Sequence, residues 1–138
     1  MADSERAYAS FLGRSISASR GRLQLTQTAI AARMQQLGFT DWRQQTLARV
    51  EKGRRPLSTV ELLGLAGCLG TTVQYLMSPL PQDDPMEWPS GRVLEVSEVR
   101  YLVFGAPGVD DPRSSVRGAR DLRGIRWTDD NKLEDSES

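Results

Sequence analysis

The chain has 138 residues, of which 38% are hydrophobic and 26% are charged. This length allows one domain with an appendage and excludes two full cores. Histidine is absent and Cys68 is the single cysteine, which excludes a Cys/His zinc site, a Ser–His–Asp triad and an intrachain disulfide within one chain. We therefore expect a protein that is not an enzyme and that has no metal or other cofactor.

The formal net charge is zero, but the charges are unevenly distributed. Residues 1–79 hold ten Arg/Lys against five Asp/Glu, and residues 80–138 hold eight against thirteen. A basic front half followed by an acidic back half suits a DNA-binding module with a non-binding or regulatory extension. The lone cysteine indicates a reducing, cytoplasmic compartment. Because no apolar run opens the chain, we expect neither a signal peptide nor a membrane span.

The first predicted helix begins at about Ser10, after a lead-in of residues 1–9. Its apolar side consists of Phe11, Leu12, Ile16 and Leu23. Arg20 lies four residues after Ile16 and therefore on the same side of the helix. An arginine on an inward face needs a partner, because an unpaired buried charge is costly.

The second and third predicted helices follow closely. Thr26 suits the N-cap of the second helix, and Gly38 suits its left-handed C-cap. The apolar stripe of this helix consists of Ile30, Ala31, Met34 and Leu37. Asp41 with Gln44 three residues later is a capping-box pattern that opens the third helix. Its inward residues are Leu47 and Val50, and its outward residues are Gln44, Gln45, Ala48 and Arg49.

Two more helices complete the predicted bundle. Ser58 with Glu61 is a capping-box pattern that opens the fourth helix, and Gly70 ends it. The buried stripe of the fourth helix consists of Leu62, Leu65, Ala66 and Leu69, with Cys68 as a further small buried residue. Thr71 with Gln74 opens a short fifth helix in the same way. Its apolar residues are Val73, Tyr75, Leu76 and Met77.

The five helices predict an all-α domain over residues 1–78, followed by a proline-rich linker at residues 79–85. Residues 86–127 form a small C-terminal region, expected to mediate dimerisation or to bind a protein partner. Its run from Val93 to Phe104 fits either a helix or a strand. Its five arginines between 113 and 126 suit either a second phosphate-binding arm or a solvated, salt-paired segment. Residues 128–138 are acidic and are expected to be a disordered tail.

The outward side of the third helix has the chemistry that reads DNA bases. An α-helix fits the major groove, where the amides of Gln44 and Gln45 suit adenine and Arg49 suits guanine. Phosphates are bound by positive charge and at helix starts. The candidate phosphate contacts are Gln27, Arg43, Thr46, Lys52, Arg54 and Arg55. The alternatives are an ordinary solvated face and, for the basic run, charges that offset the helix C-terminus.

Three blocks of the sequence carry a further signal: LTQTAIAARM at 25–34, QQTLARVEKG at 44–53 and LLGLAGCLG at 62–70. In this order they resemble the lambda-repressor-like, Cro/repressor-type (XRE) helix-turn-helix family, over roughly residues 10–78. The resemblance implies a five-helix fold with the third helix in the major groove. It also implies base contacts at Gln44, Gln45 and Arg49. A phosphate contact at Gln27 and a structural ion pair between Arg20 and Glu51 are implied as well.

One departure from the family pattern lies between Met34 and Gln45, where this chain has ten residues. That is several more than the family usually has, so the second helix, the turn or both must be longer. We expect the longer segment to bring Trp42 or Arg43 close to DNA as well.

The resemblance implies a sequence-specific transcriptional regulator of bacterial or phage type. It would act as a repressor, binding operator sites in double-stranded DNA as a homodimer in the cytoplasm, at the nucleoid. The alternative is an antitoxin-like or adaptor protein whose residues 86–127 bind a protein partner. An enzyme has little support, because the aspartate pairs at 83–84, 110–111 and 129–130 lie in loops or the tail and suit solvated charge.

Overall fold

The computed structural model of the protein describes residues 3–78, residues 83–105 and residue 130. These residues form six helices and one antiparallel two-stranded sheet, so the chain is mostly helical and the all-α prediction is confirmed at that level. The helices are α1 (Asp3–Arg22), α2 (Gln27–Gln36), α3 (Gln44–Glu51), α4 (Thr59–Leu69), α5 (Val73–Met77) and α6 (Val96–Phe104). The strands are β1 (Met86–Glu87) and β2 (Val93–Leu94).

The main core lies among the first five helices. Its largest fully buried side chains include Ile16, Ile30, Met34, Leu47, Leu65 and Leu76. The predicted inward residues of α2, α3 and α4 are therefore buried, except Leu62, which is partly buried against the core, and Leu37. Leu37 is 57% exposed, because α2 ends at Gln36 and Leu37 occupies its C-cap. Cys68 is buried. Burial raises the pKa of its thiol and outweighs the nearby charge of Arg33, which acts in the opposite direction.

Helix α1 begins earlier than the sequence predicts, at Asp3 rather than about Ser10, so the expected lead-in of residues 1–9 is wrong. The reason for the earlier start is a tertiary contact. Tyr8 and Phe11 pack into a second apolar cluster whose other buried members come from the C-terminal region: Met86, Leu94 and Val99. This contact stabilises the first turns of α1, which lack a strong apolar stripe of their own. Leu23 was expected to face inward, but it lies beyond the end of α1 and is 43% exposed.

The predicted capping signals have mixed outcomes. Thr26 caps α2, and Ser58 with Glu61 forms the capping box of α4, as predicted. The box at Asp41 is wrong, because α3 begins at Gln44 with Arg43 as N-cap, whose backbone N–H donates to Thr46 Oγ1 at 3.0 Å.

The fifth-helix cap is shifted by one residue from the predicted one. Gly70 adopts φ +63°, and the N–H of Thr71 donates to the carbonyl of Ala66 at 3.0 Å, so Thr71 belongs to the end of α4. The N-cap of α5 is consequently Thr72, whose hydroxyl accepts from the N–H of Tyr75.

The apolar run of the C-terminal region contains both predicted structures in succession. Val93–Leu94 pairs with Met86–Glu87 in the sheet, and α6 follows from Val96. Helix α6 contacts α5, and β1 contacts α1. Residues 79–82 of the predicted linker lie outside the described residues, as do the arginine segment at 113–126 and the predicted tail apart from residue 130. The region up to Gly105 thus packs on the N-terminal helices.

Candidate nucleic-acid interface

Helix α3 separates its side chains into a buried face and an exposed face. Leu47 and Val50 are 0% and 2% exposed and anchor the helix in the core. Gln44, Gln45 and Arg49 are all exposed. At 3.6 residues per turn, these three positions fall within an arc of about 140° on the opposite side of the helix. The structure therefore brings the three predicted base-reading residues together on one solvent-facing surface.

A chain of hydrogen bonds links α1, α2 and α3 behind this surface. The guanidinium of Arg20 donates to both carboxylate oxygens of Glu51, at 2.8 and 2.9 Å. Glu51 also accepts from the side-chain amide of Gln27 at 2.9 Å, and the oxygen of Gln27 accepts from Gln44 Nε2 at 2.6 Å. An amide group offers two N–H donors and one oxygen acceptor. Gln44 is thus oriented through one N–H, while its amide oxygen is not used in this chain of bonds.

The ion pair between Arg20 and Glu51 is shielded from water. The Glu51 side chain is 7% exposed and that of Arg20 is 21% exposed. The hydrogen bond to Glu51 raises the pKa of the Arg20 guanidinium and outweighs burial, which lowers it. Arg20 also donates to the carbonyl of Leu25 at 3.0 Å, just before α2. One guanidinium therefore fixes the end of α3 and the chain entering α2 at the same time.

The turn between α2 and α3 is anchored by Trp42. This side chain is 2% exposed, and its indole N–H donates to Glu61 at 2.8 Å. The side-chain amide of Gln35 donates to the backbone carbonyl of Trp42. Burial in the core therefore removes the Trp42 indole from the surface, and of the two residues expected near DNA only Arg43 is exposed.

Arg55 belongs to the same set of contacts. It donates to Glu61 at 2.9 Å, and its guanidinium carbon lies 5.2 Å from the centre of the Trp42 ring. We call Trp42, Arg55 and Glu61 the Glu61 cluster. Burial raises the pKa of the Glu61 carboxyl, but hydrogen bonds from Arg55, from the backbone of Ser58 and from Trp42 outweigh it and hold the pKa at about 2. The cluster joins the turn before α3, the loop after α3 and the start of α4.

The predicted phosphate contacts accordingly occupy different environments. Lys52 and Arg54 are exposed beyond the end of α3, whereas Arg55 is partly buried in the Glu61 cluster. Arg43 is exposed, but its guanidinium donates to the carbonyls of Thr40 and Trp42 at 2.7 and 2.9 Å. The remaining two, Gln27 and Thr46, are partly exposed and hold the hydrogen bonds described above.

Two glycines allow α1 to approach α3 more closely than any other residue would. A Cβ at Gly13 would lie 2.5 Å from the carbonyl oxygens of both Val50 and Glu51. Gly53 adopts φ +70°, and a Cβ there would lie 2.6 Å from the backbone of Ser10. Sequence reasoning missed the first of these contacts. The signal available was Gly13 itself, since a glycine inside a helix costs stability unless another backbone packs against it.

A concave surface accompanies the exposed side of α3. A groove of about 520 Å³ lies between α2 and α3, and its lining includes Thr28, Ala31 and Ala32 from α2 and Arg43, Gln44 and Gln45 from the start of α3. Three of the four lining residues from α2 are small, and the fourth is Gln35.

Comparison of the sequence with family models and with curated proteins gave no match, and neither did comparison of the fold with solved structures. Within the described ranges, no three His, Cys, Asp or Glu side chains are grouped so that they could hold a metal ion. No helix among the same residues has the length and apolar character needed to cross a membrane.

Proposed function

We propose that the protein is a sequence-specific DNA-binding transcriptional regulator of the lambda-repressor-like, Cro/repressor-type helix-turn-helix family. In this proposal α2 and α3 are the two helices of the motif, and α3 enters the major groove of an operator. Binding at an operator that overlaps a promoter would make the protein a repressor. The observation that supports the proposal best is the joint exposure of Gln44, Gln45 and Arg49 on the side of α3 opposite its buried residues.

The assignment of roles follows from the chemistry of the exposed groups. Gln44 and Gln45 each present an amide that can pair with adenine, and Arg49 presents a guanidinium suited to the O6 and N7 of guanine. The hydrogen bond from Gln44 to Gln27 limits the rotamers of Gln44 before DNA arrives, which lowers the entropy cost of binding. Gln27 itself lies at the first residue of α2, where backbone N–H groups favour a phosphate.

Lys52 and Arg54 are the phosphate contacts that we favour among the basic residues after α3. Both are exposed, whereas Arg55 is held by Glu61. We therefore assign Arg55 the role of positioning the turn and the loop on either side of α3. This assignment separates two neighbouring arginines by function and can be tested by comparing their substitutions.

The test begins with selection of bound sequences from a random duplex pool, followed by titration of the selected and of random DNA by fluorescence anisotropy. Arg49→Ala should cost about 1–3 kcal/mol at one base pair of the selected sequence and relax specificity there. Arg54→Ala should weaken binding to all sequences and reduce the slope of log K against log salt by about 0.9.

The same titrations include the result that would contradict the proposal. Equal weakening of selected and random DNA by Arg49→Ala would rule out base reading by this residue. Failure of the wild-type protein to enrich any sequence would rule out sequence-specific binding altogether. Thermal unfolding of each variant checks that a loss of binding does not reflect a loss of fold.

A second candidate function has its own support on the C-terminal side. Four apolar side chains there are between 38% and 49% exposed: Trp88, Val93, Leu102 and Phe104. Contiguous patches of exposed apolar side chains are typical of protein contacts, and these four residues are the candidates for such a patch. A homodimer, with half-sites about one helical turn apart, fits the first proposal. An antitoxin-like or adaptor protein, in which this surface binds a different protein, is the alternative. The mass in solution, measured with and without DNA, separates a dimer from a monomer that awaits another partner.

A further inference from the structure

An apolar groove lies between the N-terminal half of α1, the loop after α3 and the β1–β2 hairpin. Its volume is about 790 Å³, which lies within the range of about 300–1,000 Å³ that is usual for small-molecule sites. Tyr8 and Leu12 form one wall, Leu57 and Leu62 a second, and Met86 and Trp88 a third. No residue of α2 or α3 is among the described residues that line it.

The charge of the groove restricts the ligands that would fit. The exposed carboxylate of Glu87 belongs to its lining, and neither lysine nor arginine occurs among the described lining residues. Because Glu87 is exposed, water screens its charge, so the groove favours cations over anions by a modest margin.

The aromatic residues of the groove point to the same class of ligand. Trp88 is 38% exposed and Tyr8 is partly buried. The hydroxyl of Tyr8 donates to the carbonyl of Met77 at 3.3 Å, so its polar end is engaged with backbone. Aromatic faces attract cations, and Trp does so most strongly. Apolar walls, aromatic faces and the Glu87 carboxylate together are the features that a cation with a bulky apolar body would contact.

We propose that this groove is a binding site for a small lipophilic cation, such as a quaternary ammonium or phosphonium compound. Such a ligand would touch α1, the hairpin and Leu57, which follows the basic run after α3. The site goes beyond DNA binding, and it is tested without DNA, so its outcome is independent of the function proposed above.

The experiment compares two probes of the same shape and opposite charge, tetraphenylphosphonium and tetraphenylborate. Each is titrated into the full-length protein by calorimetry and by amide NMR, with the indole N–H of Trp88 and the amide of Leu57 as local reporters. We expect tetraphenylphosphonium to shift both reporters at a lower concentration than tetraphenylborate. Equal or stronger shifts with tetraphenylborate, or no shift of either reporter with tetraphenylphosphonium at millimolar concentration, would overturn the proposal.

Substitutions then assign the binding to the groove. Glu87→Gln should weaken tetraphenylphosphonium binding about 3-fold, the size expected for one exposed charge pair. Trp88→Leu keeps an apolar wall and removes the aromatic face, so it should also weaken binding about 3-fold. Asp84→Asn removes an exposed carboxylate that is not among the lining residues and should leave the affinity unchanged. Equal effects of Glu87→Gln and Asp84→Asn would show that the affinity depends on the net charge of the protein and not on a charge in the groove, and would contradict the assignment.

Discussion

Glu61→Gln is the substitution that best tests how the segment on either side of α3 is held. In the native protein the carboxylate accepts hydrogen bonds from Trp42, Arg55 and the backbone N–H of Ser58. These bonds keep its pKa at about 2, against an ordinary value of 4.5. That difference corresponds to about 3 kcal/mol. Because the Glu61 cluster is partly open to solvent and Gln keeps a hydrogen-bonding oxygen, we expect a smaller loss of stability, about 1–2 kcal/mol at pH 7.

The pH dependence gives the sharper prediction. A carboxyl whose pKa is lowered by folding stabilises the protein above its unfolded pKa, and this contribution is lost as the pH falls towards the folded pKa. The difference in unfolding free energy between wild type and Glu61→Gln should therefore have its largest value at pH 7 and decline between pH 4.5 and 2. Urea unfolding of both proteins at pH 7, 4 and 2.5, followed by far-UV circular dichroism, measures this difference.

A matched control exists in α6. Glu98 occupies the corresponding capping-box position, accepting from the backbone N–H of Glu95 at 3.4 Å, and no arginine is among its described partners. Glu98→Gln should therefore cost less than about 1 kcal/mol. A difference between wild type and Glu61→Gln that stayed constant from pH 7 to 2.5 would refute the reasoning, because Gln does not titrate and the effect would then be one of shape alone.

Two further predictions concern the packing of α3. Gly13→Ala should destabilise the protein by about 2 kcal/mol, since its Cβ would overlap the carbonyl oxygens of Val50 and Glu51. Gly21→Ala, in the same helix but with nothing within 4 Å of the added Cβ, should be neutral or stabilising by up to about 1 kcal/mol; similar melting temperatures for the two variants would be inconsistent with the close approach. Glu51→Gln should cost about 3 kcal/mol in urea unfolding, because it leaves the Arg20 guanidinium without its charged partner, and a loss below about 1 kcal/mol would show that water solvates Arg20 freely.

Much of the fold follows from short-range rules that the sequence states directly. Thr26 and the pair of Ser58 and Glu61 cap their helices because a side-chain oxygen needs only to reach an N–H two or three residues away. Gly70 ends α4 because a left-handed residue is favoured there. The buried faces of α2, α3 and α4 follow from helical periodicity. The exposure of the outward residues of α3 follows from the same periodicity.

The contacts that carry the candidate site's geometry depend on residues far apart in the chain. Trp42 precedes α3 in the sequence and Arg55 follows it, and only the folded chain brings both to Glu61, so the burial of the turn indole could not be predicted from the sequence. The early start of α1 likewise depends on apolar residues of the C-terminal region, more than seventy residues away from Tyr8.

The sequence by itself determined that α2 to α5 are helical, which side of α2, α3 and α4 is apolar and which polar groups remain on α3. Only the tertiary structure decided which lysine and arginine side chains stay exposed, how closely α1 approaches α3 and where the apolar groove lies. The physical reason is the separation in sequence between the interacting residues. Capping hydrogen bonds and helical periodicity involve residues only a few positions apart. The partners of a charge and the packing of two helices depend on how the whole chain closes on itself.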